Sequence, residues 1–164
     1  NIDNFFGWIK GAKLVELKEC NTEEDPVRPE LDNEFRTGYG RKIYGVEYQE
    51  EIHAVMCFAY TNKIPRSVEE LEKLSTDAFL QSAMRDQAGG QIAIAYTVWS
   101  KKKGGGKLIV KEVFKKIKKS NHLNRLVTLS PLTEMATKFH SKNGAKLLQV
   151  NENSQNFEYK IVKK

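Results

Sequence analysis

Tyr96-Thr97-Val98-Trp99-Ser100-Lys101-Lys102-Lys103-Gly104-Gly105-Gly106-Lys107-Leu108-Ile109 is the stretch on which the fold turns. Residues 92–99, which lead into it, alternate and are rich in β-formers, so they predict a central strand. Three glycines follow. Beyond them Ile109, Val113 and Ile117 line one side, joined by Val110 and Phe114, while Lys111, Lys115 and Lys118 point away. That spacing predicts a helix over about 107–119. Glycines let a backbone approach an anion closely and aim successive N–H groups at it, and the helix adds its positive N-terminal end. Strand, glycine turn and helix in this order predict a pyrophosphate cradle built from Lys101, Lys102, Lys103, Gly104, Gly105, Gly106 and Lys107. A P-loop is excluded, because Gly106-Lys107 is followed by Leu108, and no Rossmann G-x-G-x-x-G is present.

Downstream, residues 126–129 predict a short buried strand, and residues 133–143 a helix ended by Gly144, the residue expected just past a helix end. Residues 145–150 and 157–162 predict a closing hairpin. Upstream, residues 43–48 and 52–60 read as two hairpin strands with residues 49–51 at the turn. Ser67 and Glu70 form a capping box for a helix that runs to about Leu74. Residues 20–40, rich in Asn, Asp, Pro and Gly, read as a loop with a short helix after Pro29. Residues 4–17 read as an amphipathic helix on Phe5, Trp8, Ile9, Ala12 and Leu17. The sum is one α/β (α+β) domain over residues 1–164, a mixed sheet with helices on both faces.

The composition fits that reading. The chain has 164 residues, 40% hydrophobic and 29% charged, which suits one globular domain. No apolar run approaches the length that spans a bilayer, and residues 1–17 carry too many charges for a secretory signal. Two cysteines, Cys20 and Cys57, make no disulfide framework and show no metal-ligand spacing, so a reducing, cytoplasmic setting without a metal is expected. Of the net charge of +6, much is local: nine lysines and one glutamate lie between Lys101 and Lys119. Such a patch attracts polyanions, including nucleic acid, headgroups and a phosphate-rich cofactor. Nucleic acid is disfavoured, because the basic helix lacks interleaved exposed aromatics and no known nucleic-acid motif occurs.

Several stretches carry a resemblance to a known family. Leu126-Val127-Thr128-Leu129-Ser130-Pro131 matches V-T-L-S-P, Phe139-His140-Ser141-Lys142-Asn143-Gly144-Ala145 matches F-H-x-x-N-G-A, and Asn156-Phe157-Glu158-Tyr159 is similar to N-Y-x-Y. Ile64-Pro65-Arg66-Ser67 follows an I-P-x-S pattern, and Val27-Arg28-Pro29 resembles V-H-P with Arg28 in place of His. These motifs resemble the catalytic domain of malonyl-CoA decarboxylase, a family with the GNAT acyltransferase fold. The resemblance runs from about residue 24 to the end; the family's helical N-terminal domain is missing or reduced to the first helix. The glycine turn also fits the fold's [RQ]-x-x-G-x-[GA] signature as Lys101-x-x-Gly104-x-Gly106, with lysine in first place.

The resemblance implies an acyl-CoA substrate. It implies central strands that splay at their C-terminal ends to admit the pantetheine arm, with Val98 and Trp99 facing the thioester carbonyl. Ser100 matches the family's active serine and His140 its active histidine, which implies that the two side chains lie within reach of each other or of one bridging water, His140 at the edge of a buried face. Tyr159 matches an aromatic of the family motif and joins them as a candidate. The competing reading on the same fold is an N-acetyltransferase, with Glu47 or Glu51 as the base for an amine. A nucleic-acid-binding module on the lysine patch is the third.

Overall fold

The computed structural model describes residues 11–85 and 89–163. Its elements run β1 (Lys13–Leu17), α1 (Asn33–Thr37), β2 (Lys42–Tyr48), β3 (Glu51–Thr61), α2 (Val68–Arg85), β4 (Ile92–Ser100), α3 (Gly105–Lys119), β5 (Arg125–Thr128), α4 (Glu134–Lys142), β6 (Lys146–Val150) and β7 (Gln155–Tyr159). The strands form one seven-stranded sheet in the order β1-β2-β3-β4-β5-β7-β6, and β4–β5 is its parallel pair. Among the described residues no helix is long and apolar enough to cross a membrane.

Local signals account for most of these elements. The β2–β3 turn puts Gln49 and Glu50 at φ 53 and 66, the left-handed pair that a tight hairpin requires. Ser67 Oγ accepts from the Glu70 N–H at 3.1 Å and so caps the helix, while Glu70 Oε1 reaches back one residue further than a capping box requires, to the Arg66 N–H at 3.1 Å. Thr133 caps α4 by accepting from the Ala136 N–H, and Gly144 leaves the helix at φ 100.

Two boundaries differ from the sequence reading. Residues 13–17, expected at the end of a helix, are strand β1, paired antiparallel with β2; residues 1–10 lie outside the described residues. Leu14 and Leu17 have the i, i+3 spacing of a helical stripe. In a strand that spacing puts them on opposite faces, and both faces here carry an apolar core, so each leucine finds a partner layer. Helix α2 runs on to Arg85 rather than stopping near Leu74. Just past Leu74, Ser75 is satisfied inside the helix: 1% exposed, it receives a hydrogen bond from Arg41 Nη1 at 2.8 Å.

The sheet separates two cores. On one face β2, β3 and β4 pack against α3 through Leu108, Ile109, Val113 and Ile117. The other face packs Ile43, Cys57, Ile94, Tyr96 and Trp99 beneath Leu71 of α2. Complete burial of such side chains contributes about 1.5–3 kcal/mol each.

The expected splay is present, and its cause is one extra residue. β3 pairs Cys57 with Thr97 but Phe58 with Ala95, so Tyr96 has no partner and forms a bulge. A bulge bends its strand and puts two successive side chains on one side. Tyr96 therefore packs in the α2-side core, and Thr97 bonds to Asp25 on that same side. β5 pairs with β4 only from Ile92↔Arg125 to Ala95↔Thr128, and beyond Ala95 the two strands part.

Candidate active site

The glycine turn is anchored on β3 by a second bulge. His53 is skipped in the β2–β3 register, and its carbonyl accepts from the Lys101 and Lys102 N–H groups at 2.8 and 3.1 Å. Gly104, at φ 83, serves as the N-cap of α3 without a capping side chain. The Gly105 N–H turns inward onto the Lys102 carbonyl at 2.9 Å. The N–H groups of Gly104 and Gly106 have no partner among the described residues.

The other two glycines are needed for packing. A Cβ on Gly105 would stand 2.2 Å from the His53 carbonyl oxygen, and one on Gly106 would stand 2.7 Å from Phe139 of α4. Lys101 pairs with Glu24 at 3.7 Å and Lys102 with Glu51 at 3.4 Å, both on the surface. Exposed pairs of this kind contribute about 0–1 kcal/mol, so a pyrophosphate can compete for both lysines. Lys103 and Lys107 flank the same turn.

Arg28 spans the mouth of the splay. Its Nε donates to the Tyr96 carbonyl at 2.9 Å and its Nη2 to the Leu129 carbonyl at 3.0 Å, so one guanidinium joins the bulge on β4 to the residue just past β5. Burial lowers its pKa from the ordinary arginine value, with Glu30 and Asp25 pulling the other way.

The loop carrying Arg28 is held by a buried ion pair. Asp25 Oδ1 accepts from the Val27 and Arg28 N–H groups and from Thr97 Oγ1 at 2.8, 3.0 and 2.8 Å. Its Oδ2 receives Arg36 Nη1 at 2.9 Å. Arg36 also donates to the carbonyls of Leu31 and Arg28, at 2.8 and 2.7 Å. Both side chains of the pair are fully enclosed, and the guanidinium carbon lies 5.7 Å from the Trp99 ring centroid.

The sequence-predicted residues divide into two groups. Val98 and Trp99 lie on β4 beyond its bulge, where the splay opens, Val98 toward the α3 face and Trp99 toward the other. Trp99 Nε1 and the Tyr96 hydroxyl are buried without a hydrogen-bond partner among the described residues. Ser100 ends β4 opposite Ala54, beneath the first turn of α3, and its Oγ donates to the Lys102 carbonyl at 2.6 Å.

His140 is paired elsewhere. Its Nδ1 lies 2.8 Å from the Tyr159 hydroxyl, and its ring packs on Phe139 and Phe157 with centroids at 5.1 and 5.4 Å. Ser100 and His140 therefore share no hydrogen bond among the described residues. His140 is also enclosed rather than half exposed at the edge of a face, 5% of it remaining accessible. Burial pushes its pKa down to about 4, and burial raises that of Tyr159. At pH 7 the imidazole is neutral, with roughly one molecule in a thousand protonated, so any proton it moves starts from the neutral ring. Its Nε2 has no partner among the described residues.

The sequence reading noted Arg28 only as a replacement inside a motif, and it did not single out Asp25, Arg36 or Thr97. A charged residue between prolines and an Asp 72 positions from its Thr partner leave no periodic trace. No group of three or more His, Cys, Asp or Glu arranged to hold a metal ion occurs among the described residues.

No protein-family model matches the chain, and no curated protein does. Solved structures do. The GphF GNAT-like decarboxylase in complex with isobutyryl-CoA superposes with a TM-score of 0.67 at 8% identity, covering 90% of this chain and 98% of that one. The loading GNATL domain of CurA from Lyngbya majuscula gives 0.60 at 13% identity, covering 91% and 97%. Malonyl-CoA decarboxylase from Cupriavidus metallidurans gives 0.51 at 17% identity, covering 79% of this chain and 34% of that one, so the chain spans about a third of that protein. At these identities the likeness is one of fold, and with the bulged β4, the splay and the glycine turn it establishes that the chain has the GNAT acyltransferase fold.

Proposed function

We propose that the chain binds an acyl-CoA, with the pyrophosphate on the glycine turn and the thioester in the splay, and decarboxylates malonyl-CoA to acetyl-CoA and carbon dioxide. The observation that carries this reading is the Arg28 guanidinium set across the parted strands; beside it the reading places the Ser100 hydroxyl under α3 and the neutral His140 imidazole paired with a phenol. An N-acetyltransferase needs a base for its amine. The two carboxylates considered for that task pair with surface lysines, Glu47 with Lys13 and Glu51 with Lys102, both at 3.4 Å. The solved structures on this fold include decarboxylases and acetyltransferases alike, so they support the acyl-CoA part of the reading, and the choice between the two reactions rests on the groups named above.

The chemistry asks little more of the protein. The bond to the carboxylate breaks, its electron pair moves into the thioester to give an enolate, and a proton is added at carbon. The thioester is the electron sink. The chain's task is to stabilise the oxyanion and supply the proton. Beyond Ala95 the N–H of Val98 faces the β5 edge of β4 with no strand to pair with and is the oxyanion donor in this proposal, with Trp99 beside it. A water hydrogen-bonded to Nε2 of His140, whose Nδ1 is held by Tyr159, gives its proton to the enolate carbon and leaves as hydroxide to solvent, and Ser100 serves as the hydroxyl at the α3 side of the cleft. A reducing, cytoplasmic setting belongs to the same proposal, since Cys20 and Cys57 are both free thiols.

The test is to incubate the protein with malonyl-CoA and with acetyl-CoA, each with and without amines, and to follow product masses. Acetyl-CoA and carbon dioxide from malonyl-CoA without any amine are expected. Transfer of an acyl group to an amine with malonyl-CoA left intact would replace the decarboxylase reading with the transferase one.

A further inference from the structure

Arg28 does more than join two strands. Two of its five N–H donors are spent on the Tyr96 and Leu129 carbonyls, and Nη1 has no partner among the described residues. The same side chain lines a cavity of about 520 Å³ on the α2 side of the sheet, walled by the start of α2 and by the β6–β7 turn. The other arginine of that wall, Arg66, is already held by Glu70, through its backbone N–H at 3.1 Å and its Nη2 at 3.4 Å. Glu152 lines the turn side of the wall. Arg28 is thus the cation of that wall which also spans the parted strands, and its Nη1 is unengaged among the described residues.

The guanidinium is also rigidly placed. Asp25 bonds the Arg28 N–H, and Arg36 bonds the Arg28 carbonyl, so both peptide groups of the residue are tied to a fully enclosed ion pair. A charge held in this way, partly out of water, recognises a carboxylate through short, charge-assisted hydrogen bonds.

We propose that Arg28 is a specificity-determining residue that reads a terminal carboxylate on a short acyl group reaching through the splay into this cavity. The inference rests on the acyl-CoA reading above but not on decarboxylation. Any acyl thioester with a carboxylate two or three carbons from the sulfur places an anion at the guanidinium, and acyl groups ending in a methyl do not. Such a contact acts on binding. Because it is strongest while the carboxylate is still charged, it lowers KM for a carboxylated substrate without raising kcat.

The test uses succinyl-CoA and butyryl-CoA, which have the same chain length, one ending in a carboxylate and the other in a methyl group; neither loses carbon dioxide through an enolate. Calorimetry on the wild-type chain should show succinyl-CoA bound at least about tenfold more tightly, the low end for charge-assisted bonds. In Arg28→Gln that ratio should fall toward one, and Arg28→Lys should restore part of it. A wild-type ratio near one overturns the proposal. So does an equal loss of both ligands in Arg28→Gln, which would make the residue a strut and nothing more. The wild-type ratio keeps the question decidable if the variants fail to fold. If neither ester binds the wild type, the acyl-CoA reading itself has failed. If succinyl-CoA is preferred through Arg28 while malonyl-CoA is not turned over, the inference stands and only the decarboxylase reading falls.

Discussion

The buried imidazole of His140 makes a quantitative prediction about stability. Its pKa is near 4 in the folded chain, against an ordinary value of 6.5. As pH falls below 6.5, the unfolded chain takes up a proton that the folded chain refuses. Stability from this residue is therefore fully present above pH 6.5 and is lost progressively down to about pH 4. By pH 5 the gap is about 1.5 units, and at about 1.4 kcal/mol per unit the loss is about 2 kcal/mol. Other groups titrate in this range, so the measurement has to be a difference. His140→Gln keeps an acceptor for the Tyr159 hydroxyl but cannot titrate. Urea unfolding of both proteins between pH 7 and pH 5 should show the wild type losing about 2 kcal/mol more than the variant. Parallel stability curves over that range would refute the argument. They would mean either that water reaches the ring or that the imidazole is charged in the folded state. A charged ring would also restore His140 as an ordinary general acid.

Gly105→Ala should lower stability by about 1–3 kcal/mol, because the added carbon meets the His53 carbonyl at 2.2 Å and Ser100 Oγ at 2.9 Å; an unchanged Tm would show that the turn has slack. Asp25→Ala should cost about 3–5 kcal/mol by chemical denaturation, since it leaves the Arg36 guanidinium enclosed without its partner; a loss below about 1 kcal/mol would mean that water enters to replace the carboxylate. Cys20 should alkylate with a midpoint near pH 7, because a hydrogen bond with Cys57 and the nearby Arg36 charge lower its pKa from 9.0 to about 7 against the opposing effect of burial; a midpoint near 9 would contradict the thiol contact.

Elements with a local cause could be read from the chain itself. The Ser67 cap, the Gln49-Glu50 turn, the Thr133 cap and Gly144 all act within four residues of themselves, and each appears where the sequence put it. The glycine turn was legible as a strand–turn–helix unit, though the packing demands on Gly105 and Gly106 come from β3 and α4 and were not. Strand β1 was hidden by the stripe of Phe5, Trp8, Ile9, Ala12 and Leu17: in the sheet Leu14 packs on one core and Leu17 on the other, so the strand shows no clean period of two. The site was legible in part. Val98, Trp99 and Ser100 follow from their place on β4. The partners of His140 and Arg28 depend on contacts 19 to 101 residues away, which no window of sequence contains.

The bulge at Tyr96 makes the cleft a matter of counting rather than of chemistry. Deleting a single residue from β4 between Ala95 and Thr97 would let the strand pair in register with β3 along its whole length. Side chains beyond that point would keep their faces and their partners on β3, since Thr97 already shares a side with Tyr96, and only the bend that the extra residue imposes would be lost. The straightened strand could run on beside Leu129 and close the opening. Substitutions at these positions leave the count intact. An in-frame loss of one codon does not, so this segment should tolerate many exchanges of residue but no change in length.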